Sequence, residues 1–143
     1  MKIVAFASDH AGFGLKQQLL SELSSFGEFR ALDLGTNSEE SVDYPDFAGK
    51  AAHAVLDGAA DFGVILCGSG IGISIAANRH AGIRAALCMD ATMARLAREH
   101  NDANMLAMGA RMIGFETAKD CLRVFLNTDF AAGRHSQRVT KLG

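Results

Sequence analysis

The chain has 143 residues, of which 49% are hydrophobic and 21% are charged, and its formal net charge is −2. A chain of this length and composition can bury a core without disulfides, which excludes disorder as its main state. The nearly balanced charge excludes a general electrostatic attraction to nucleic acid or to an anionic membrane.

Apolar runs of strand length alternate with longer segments of helical period along the whole chain. The predicted strands are residues 3–7, 29–34, 63–67, 84–88 and 105–108, and the predicted helices are residues 14–25, 46–57, 71–78, 91–100 and 116–126. All strands but the second are nearly continuous apolar runs, as strands covered on both faces require. The alternation predicts an α/β fold: one doubly wound domain over residues 1–143, with a five-stranded parallel sheet and a flavodoxin-like strand order.

In such a sheet, ligands bind outside the carboxyl ends of the strands. Polar and reactive residues follow the predicted strands at these ends, in the segments 8–10, 35–37, 67–72, 89–90 and 109–111. The sequence therefore predicts an active site at this edge of the sheet.

The cysteine pattern indicates free thiols. Cys67, Cys88 and Cys121 are an odd number without CxxC spacing, and the N-terminus has no secretory signal. We expect a cytoplasmic protein in a reducing environment. No cluster of His, Cys and carboxylate residues has metal-ligand spacing, so we expect neither a metal nor a cofactor.

The segment from Cys67 to Gly72 carries the strongest chemical signal. Three alternating glycines and Ser69 follow a cysteine at a strand end and lead into a helix, whose N-terminus favours anions and a thiolate. The alternative is a tight turn with a buried, inert cysteine. The loop fits neither a dinucleotide fingerprint, nor a Walker loop, nor a cysteine phosphatase loop, because Ile73 stands where the first needs glycine and the last needs arginine.

Two polar pairs have a functional and a structural interpretation. Asp9 and His10 follow the first strand, where they could bind a sugar phosphate or form a turn that caps the next helix. His100 and Asn101 end the fourth helix, where the histidine could move protons or only interact with the helix dipole.

The C-terminal segment is basic. Arg134 and Arg138 share one face if this segment is helical, and paired guanidinium groups match phosphate oxygens. Arg111, after the fifth strand, is a candidate third phosphate contact. The alternative is a solvated basic tail.

In their order, these motifs resemble the family of ribose-5-phosphate isomerase B and galactose-6-phosphate isomerase over essentially the whole chain. The segments that carry the resemblance are 8–10, 43–45, 67–78, 82–85, 100–102 and 133–138. The resemblance implies an aldose–ketose isomerase of pentose phosphate metabolism that interconverts ribose 5-phosphate and ribulose 5-phosphate through a cis-enediolate.

The resemblance also implies roles. Cys67 would transfer the proton between C2 and C1, His100 would open the furanose ring, and Ser69 would stabilise the enediolate with the loop amides. The implied substrate-binding residues are Asp9, His10, Tyr44, Gly68, Gly70, Ile71, Gly72, Asn101, Arg111, Arg134 and Arg138. Family members are homo-oligomers, dimers or tetramers, with active sites shared between subunits, so we expect a homodimer at least and an inactive monomer.

Two alternatives stay open. The substrate could be galactose 6-phosphate, allose 6-phosphate or a tetrose phosphate, and the chain could be a non-catalytic sugar-phosphate or nucleotide-binding module.

Many relatives have threonine in place of Ser69, which keeps the hydroxyl. Some relatives use a carboxylate in place of the loop cysteine, so Cys67 places this chain in the cysteine-using branch.

Overall fold

The computed structural model describes all residues from 1 to 143, which form five strands and six α-helices. The strands are β1 (Lys2–Ser8), β2 (Phe29–Asp33), β3 (Phe62–Cys67), β4 (Ala85–Leu87) and β5 (Met105–Gly109). The helices are α1 (Phe13–Glu22), α2 (Tyr44–Leu56), α3 (Ile71–Asn78), α4 (Ala91–Asn101), α5 (Phe115–Asn127) and α6 (Ser136–Leu142). None of these helices is long and apolar enough to cross a bilayer.

The strands form one parallel sheet in the order β2-β1-β3-β5-β4. One buried core lies between the sheet and α1, α4 and α5, and a second lies between the sheet and α2 and α3. Helices thus cover both faces of the sheet, which confirms the predicted doubly wound α/β fold.

The strand order corrects one prediction. A flavodoxin-like order would place β4 beside β3, whereas β5 takes that position and β4 lies at the edge. All five residues of β5 are buried, while the three residues of β4 are only half-buried. The longer and fully buried strand therefore occupies the interior of the sheet, and the shorter strand occupies the edge.

Two helix boundaries differ from the predicted ones by more than one residue. α1 ends at Glu22 and continues as a 3₁₀ turn (Leu23–Phe26) before Gly27, which has a φ of 143°. α2 begins at Tyr44, with Pro45 in its first turn, where a missing backbone N–H costs nothing.

An ion pair between a buried lysine and an exposed aspartate joins α1 to the end of β2. The Lys16 side chain has no exposed surface, and its Nζ lies 2.6 Å from Oδ1 of Asp33. The same oxygen accepts a hydrogen bond from the Gly35 N–H at 3.0 Å. The N–H of Ser8 donates to the Gly35 carbonyl, and the Thr36 N–H donates to the Ser8 carbonyl. These contacts hold the ends of β1 and β2 together where β1 leads into Asp9.

The turn from β1 into α1 requires glycine at position 12. A Cβ at Gly12 would lie 2.8 Å from the Cβ and carbonyl oxygen of Leu66, whereas a Cβ at Gly14 would meet nothing within 4 Å. We expect Gly12→Ala to lower the free energy of unfolding by ~1–3 kcal/mol through overpacking. Gly14→Ala should raise it by up to ~1 kcal/mol, because alanine is the better helix former. Urea denaturation of both variants measures the difference, and equal effects would contradict this account.

Candidate active site

A cavity of about 550 Å³ opens at the carboxyl ends of β1, β3 and β5. β1 lies between β2 and β3, so the chain winds to opposite sides of β1 and leaves a crevice there. The cavity is lined by Asp9, Tyr44, Cys67, Gly68, Ser69, Ile71, Gly72, Arg111 and Met112. The fold thus brings together most of the predicted site residues. It also adds Met112, for which the only signal in the sequence is its position next to Arg111.

In the segment from Cys67 to Ile71, two backbone amides donate to side chains of the same segment. Cys67 ends β3 and is 4% exposed, and its Sγ accepts a hydrogen bond from the Gly70 N–H at 3.1 Å. Oγ of Ser69 accepts a hydrogen bond from the Ile71 N–H at 3.1 Å, at the first residue of α3. The amide donor and the positive end of the helix dipole stabilise negative charge that develops in this loop.

Tyr44 forms the wall of the cavity that faces the loop. A Cβ at Gly72 would lie 2.6 Å from Cζ of Tyr44, so the aromatic ring rests directly on the glycine backbone. The first residue of α2 is thereby held against the first turn of α3.

Asp9 forms a turn with Gly12 but does not cap α1, and its position in the cavity leaves the binding interpretation open. It is 7% exposed, its Oδ1 accepts a hydrogen bond from the Gly12 N–H at 3.1 Å, and it also lines the cavity. Nδ1 of His10 accepts from the Val42 N–H at 3.1 Å, which leaves Nε2 as the protonated nitrogen of the neutral ring. His10 lines an adjoining cavity of about 520 Å³, which shares Asp9 and Tyr44 with the first.

The predicted residues of α4 and of the C-terminal segment lie at the other end of the sheet, near the amino ends of the strands. His100 and Asn101 end α4, which leads back towards the amino end of β5, whereas Cys67 lies at the carboxyl end of β3, a strand roughly 17 Å long. His135 stacks on His100, with the ring centroids 4.3 Å apart and the planes at 15°. Arg134 directly precedes His135 in the sequence, and Arg138 follows it three residues later. We call this group, His100, Asn101, Arg134, His135 and Arg138, the basic cluster.

The environment of the basic cluster disfavours a further positive charge. Desolvation lowers the pKa of His135, and the charges of His100, Arg134 and Arg138 lower it further, while Glu99 opposes them. His135 was absent from the predicted site residues, and only its stacking on His100 reveals that it belongs with them. An anion among these side chains would relieve the repulsion.

Comparison with known proteins identifies the fold and the reaction class. The chain matches the family model for ribose/galactose isomerases over residues 4–142. It belongs to this family. The ribose-5-phosphate isomerase B of Escherichia coli is 47% identical over 139 residues, which are 97% of this chain and 93% of that protein. The D-erythrulose-4-phosphate isomerase of Pectobacterium atrosepticum is 39% identical over 144 residues, 100% of this chain and 94% of that protein.

Solved structures agree with the sequence relatives. A ribose 5-phosphate isomerase from Thermotoga maritima superposes with a TM-score of 0.95 at 52% identity, covering 99% of this chain and 97% of that one. The type B ribose 5-phosphate isomerase of Trypanosoma brucei superposes with a TM-score of 0.97 at 43% identity, covering 99% and 97%. The chain is therefore an isomerase of this family, with the same fold.

The isomerase has two further cysteines that differ from Cys67 in their surroundings. All three thiols are free and buried, but only Cys67 lines the cavity. Burial raises the pKa of Cys88 to about 12, helped by the nearby Cys121 and Asp90. Burial likewise raises the pKa of Cys121 to about 11. Both groups are therefore uncharged thiols at neutral pH.

These surroundings predict selective alkylation. Iodoacetamide at neutral pH should modify Cys67 in the native isomerase and leave Cys88 and Cys121 unmodified, since alkylation requires the thiolate and these two pKa values lie far above neutral. Peptide mass spectrometry measures the extent at each site, and denatured protein, in which all three thiols react, is the control. Modification of Cys88 or Cys121 at a rate equal to that of Cys67 would contradict the assignment.

Proposed function

We propose that this isomerase interconverts ribose 5-phosphate and ribulose 5-phosphate, with Cys67 as the base. The observation that carries the proposal is the position of Sγ of Cys67, at a strand end, in the wall of the cavity and beside the Gly70 amide. The ribose-5-phosphate isomerases among the relatives support the choice of substrate. The three free cysteines fit a reducing cytoplasm.

The proposed chemistry is a proton transfer between neighbouring carbons. In the open-chain aldose, the Cys67 thiolate removes the proton from C2 and returns it to C1, while a second proton passes from O2 to O1. The enediolate between the two steps carries negative charge on oxygen. We assign the stabilisation of that oxygen to the hydroxyl of Ser69, which lines the cavity, and to the amides of the loop. No electron is gained or lost overall, so the reaction needs no electron carrier.

Remote binding orients the reacting carbons. Arg111 lines the same cavity as Cys67, and His10 presents Nε2–H in the adjoining one. We assign the phosphate to these side chains together with Arg134 and Arg138, and the sugar hydroxyls to Asp9, Tyr44 and Asn101. Holding the phosphate in this way places C1 and C2 against Sγ of Cys67.

Within one chain, the cavity around Cys67 and the basic cluster do not meet, because the cavity lies at the carboxyl ends of the strands and the basic cluster lies near their amino ends. We propose that a second copy supplies it. Four exposed apolar side chains, which we call the apolar surface, lie on α3 and around the start of α4: Ile71, Ile75, Met89 and Met93, each 41–59% exposed. α3 leads from the cavity at Ile71 to Asn78, which lines a depression together with Asn101. A two-fold axis near Ile75 would bring each basic cluster to the partner's cavity and create two equal sites.

Side chains rather than strand edges would form this interface. The Asn78 amide donates to the Ala85 carbonyl at 2.9 Å, and its oxygen accepts from the Ala85 N–H at 2.8 Å. The side chain thus occupies the position of a neighbouring strand and blocks extension of the sheet at β4. Helix packing over the apolar surface is the mode of association that we propose.

The base is tested by Cys67→Ala. We expect isomerisation of ribose 5-phosphate to fall by about 10²–10⁴-fold, the usual contribution of a placed base, while substrate binding persists. Turnover without added metal or nucleotide and calorimetric binding measure the two effects, and Cys88→Ala is the control. Activity that survives in Cys67→Ala would overturn the proposed base.

The choice of substrate is tested by comparing sugar phosphates with different numbers of carbon atoms. A specific observation favours a tetrose phosphate as the second candidate, since one relative acts on D-erythrulose 4-phosphate. We expect kcat/KM to be highest for ribose 5-phosphate among four-, five- and six-carbon sugar phosphates. A higher value for a four- or six-carbon substrate would replace ribose 5-phosphate, and binding without any turnover would indicate a non-catalytic module.

The shared site is tested by Ile75→Asp, which places a charge in the apolar surface. We expect a monomer with less than about a tenth of the wild-type activity, because the cavity then lacks the basic cluster. Gln18→Asp, on the exposed face of α1, is the charge-matched control. Light scattering and turnover measure both properties. A fully active monomer would contradict the shared site.

A further inference from the structure

Arg98 is a buried arginine with no assigned role, two residues before His100 on α4. It is 7% exposed, and its guanidinium carbon lies 5.1 Å from the ring centroid of Phe62 and 5.7 Å from that of Phe125. A charge in this position needs partners, because a buried unpaired charge is strongly destabilising. Its hydrogen bonds therefore indicate what it holds.

The guanidinium joins two segments that are far apart in sequence. Nη1 donates to Oδ1 of Asp102 at 2.9 Å and to the Ala103 carbonyl at 2.6 Å, in the turn that follows α4. Nε donates to the Thr128 carbonyl at 3.1 Å, where α5 ends and the C-terminal segment begins. Arg98 thus links the turn after Asn101 to the start of the segment that carries Arg134.

A second arginine holds the same turn from the other side. Nε of Arg84 donates to the carbonyls of Asn101 and Asp102 at 3.2 and 3.0 Å, and its Nη2 lies 3.5 Å from Oδ2 of Asp102. Asp102 has a φ of 46°, a left-handed conformation that ends the helix. The Asp102 carboxylate is therefore shared between two guanidinium groups, directly after the residues of the basic cluster.

The C-terminal segment returns to α4 beyond the Arg98 contact. The Ala131 N–H donates to the Glu99 carbonyl at 3.0 Å, and the His135 ring stacks on His100. The two parts of the basic cluster, His100 with Asn101 and the C-terminal residues, therefore meet next to a point that Arg98 fixes.

We propose that Arg98 is a positioning residue, which sets the basic cluster in the geometry that the partner's cavity requires. The inference rests on the proposed function and deepens it, because it assigns a role in the shared site to a residue that touches no substrate. Arginine suits the task because its planar group donates several hydrogen bonds in fixed directions, which a lysine ammonium group does not.

The direct test is Arg98→Met, which keeps a long apolar side chain between the two phenylalanine rings and removes every donor. We expect kcat/KM for ribose 5-phosphate to fall by about 10–100-fold, since small displacements of positioning groups have effects of this size. Arg98→Lys should recover part of the loss, and Arg123→Met, which removes a surface ion pair, should change nothing.

Mixing variants separates positioning from general damage. Random pairing of Cys67→Ala with Arg98→Met makes about half of the dimers mixed, and each mixed dimer has one site with an intact cavity and an intact basic cluster. We expect about one quarter of the wild-type activity. No recovery would overturn the proposal, because it would mean that Arg98 acts on its own chain's cavity or on the fold as a whole.

An activity-independent measurement keeps the proposal distinct from the proposed function. In the Arg98→Met variant, NMR titration should show the pKa of His135 rising towards its ordinary value, as the ring leaves His100 and becomes hydrated. Arg123→Met should leave this pKa low. A wild-type protein without isomerase activity would overturn the proposed function alone, whereas an unchanged His135 titration in Arg98→Met would overturn the role of Arg98.

A milder variant covers the case in which Arg98→Met does not fold. Asp102→Asn keeps a side-chain oxygen, and asparagine tolerates the left-handed conformation, but the carboxylate that both arginines share is lost. We expect the same direction of change in kcat/KM and in the His135 titration. Asp120→Asn, at an exposed ion pair, is the matched control. Wild-type behaviour of Asp102→Asn in both measurements would overturn the proposal.

Discussion

The close approach of the β3–α3 turn to the end of β5 is the constraint on which the candidate active site depends. Gly70 has a φ of 78°, and a Cβ there would lie 2.6 Å from Cδ1 of Leu87 and 2.7 Å from the carbonyl carbon of Met108. A Cβ at Gly109 would overlap the Ser69 carbonyl. The loop can therefore place the Gly70 amide against Sγ of Cys67 only because glycine backbone meets glycine backbone.

This constraint links the local loop to the order of the strands. Cys67 pairs in register with Gly109, so β5 must lie directly beside β3 for the contact to exist. The displacement of β4 to the edge is thus part of the architecture of the site. It also leaves α3 and the start of α4 at the border of the sheet, with an apolar surface that the proposed second copy would cover.

The same architecture separates the two halves of the proposed machinery. A helix that connects two parallel strands must run back along the sheet, so residues at the end of α4 lie far from residues at the end of β3. His100 and Cys67 therefore cannot meet within one chain. The proposed site, shared across a two-fold axis, would resolve this separation and would couple catalysis to assembly, because each half would be insufficient alone.

Sequence reasoning identified what local physics determines: the strands from their apolar runs, the helices from their period, and the Cys67 loop from its glycine spacing at a strand end. It misplaced β4 and β5, because both are short apolar runs and only packing shows which is fully buried. It also missed Lys16, Arg98 and their partners, Asp33 and Thr128. The partner of a buried charge depends on which distant segments pack together, and that is decided by the tertiary structure alone.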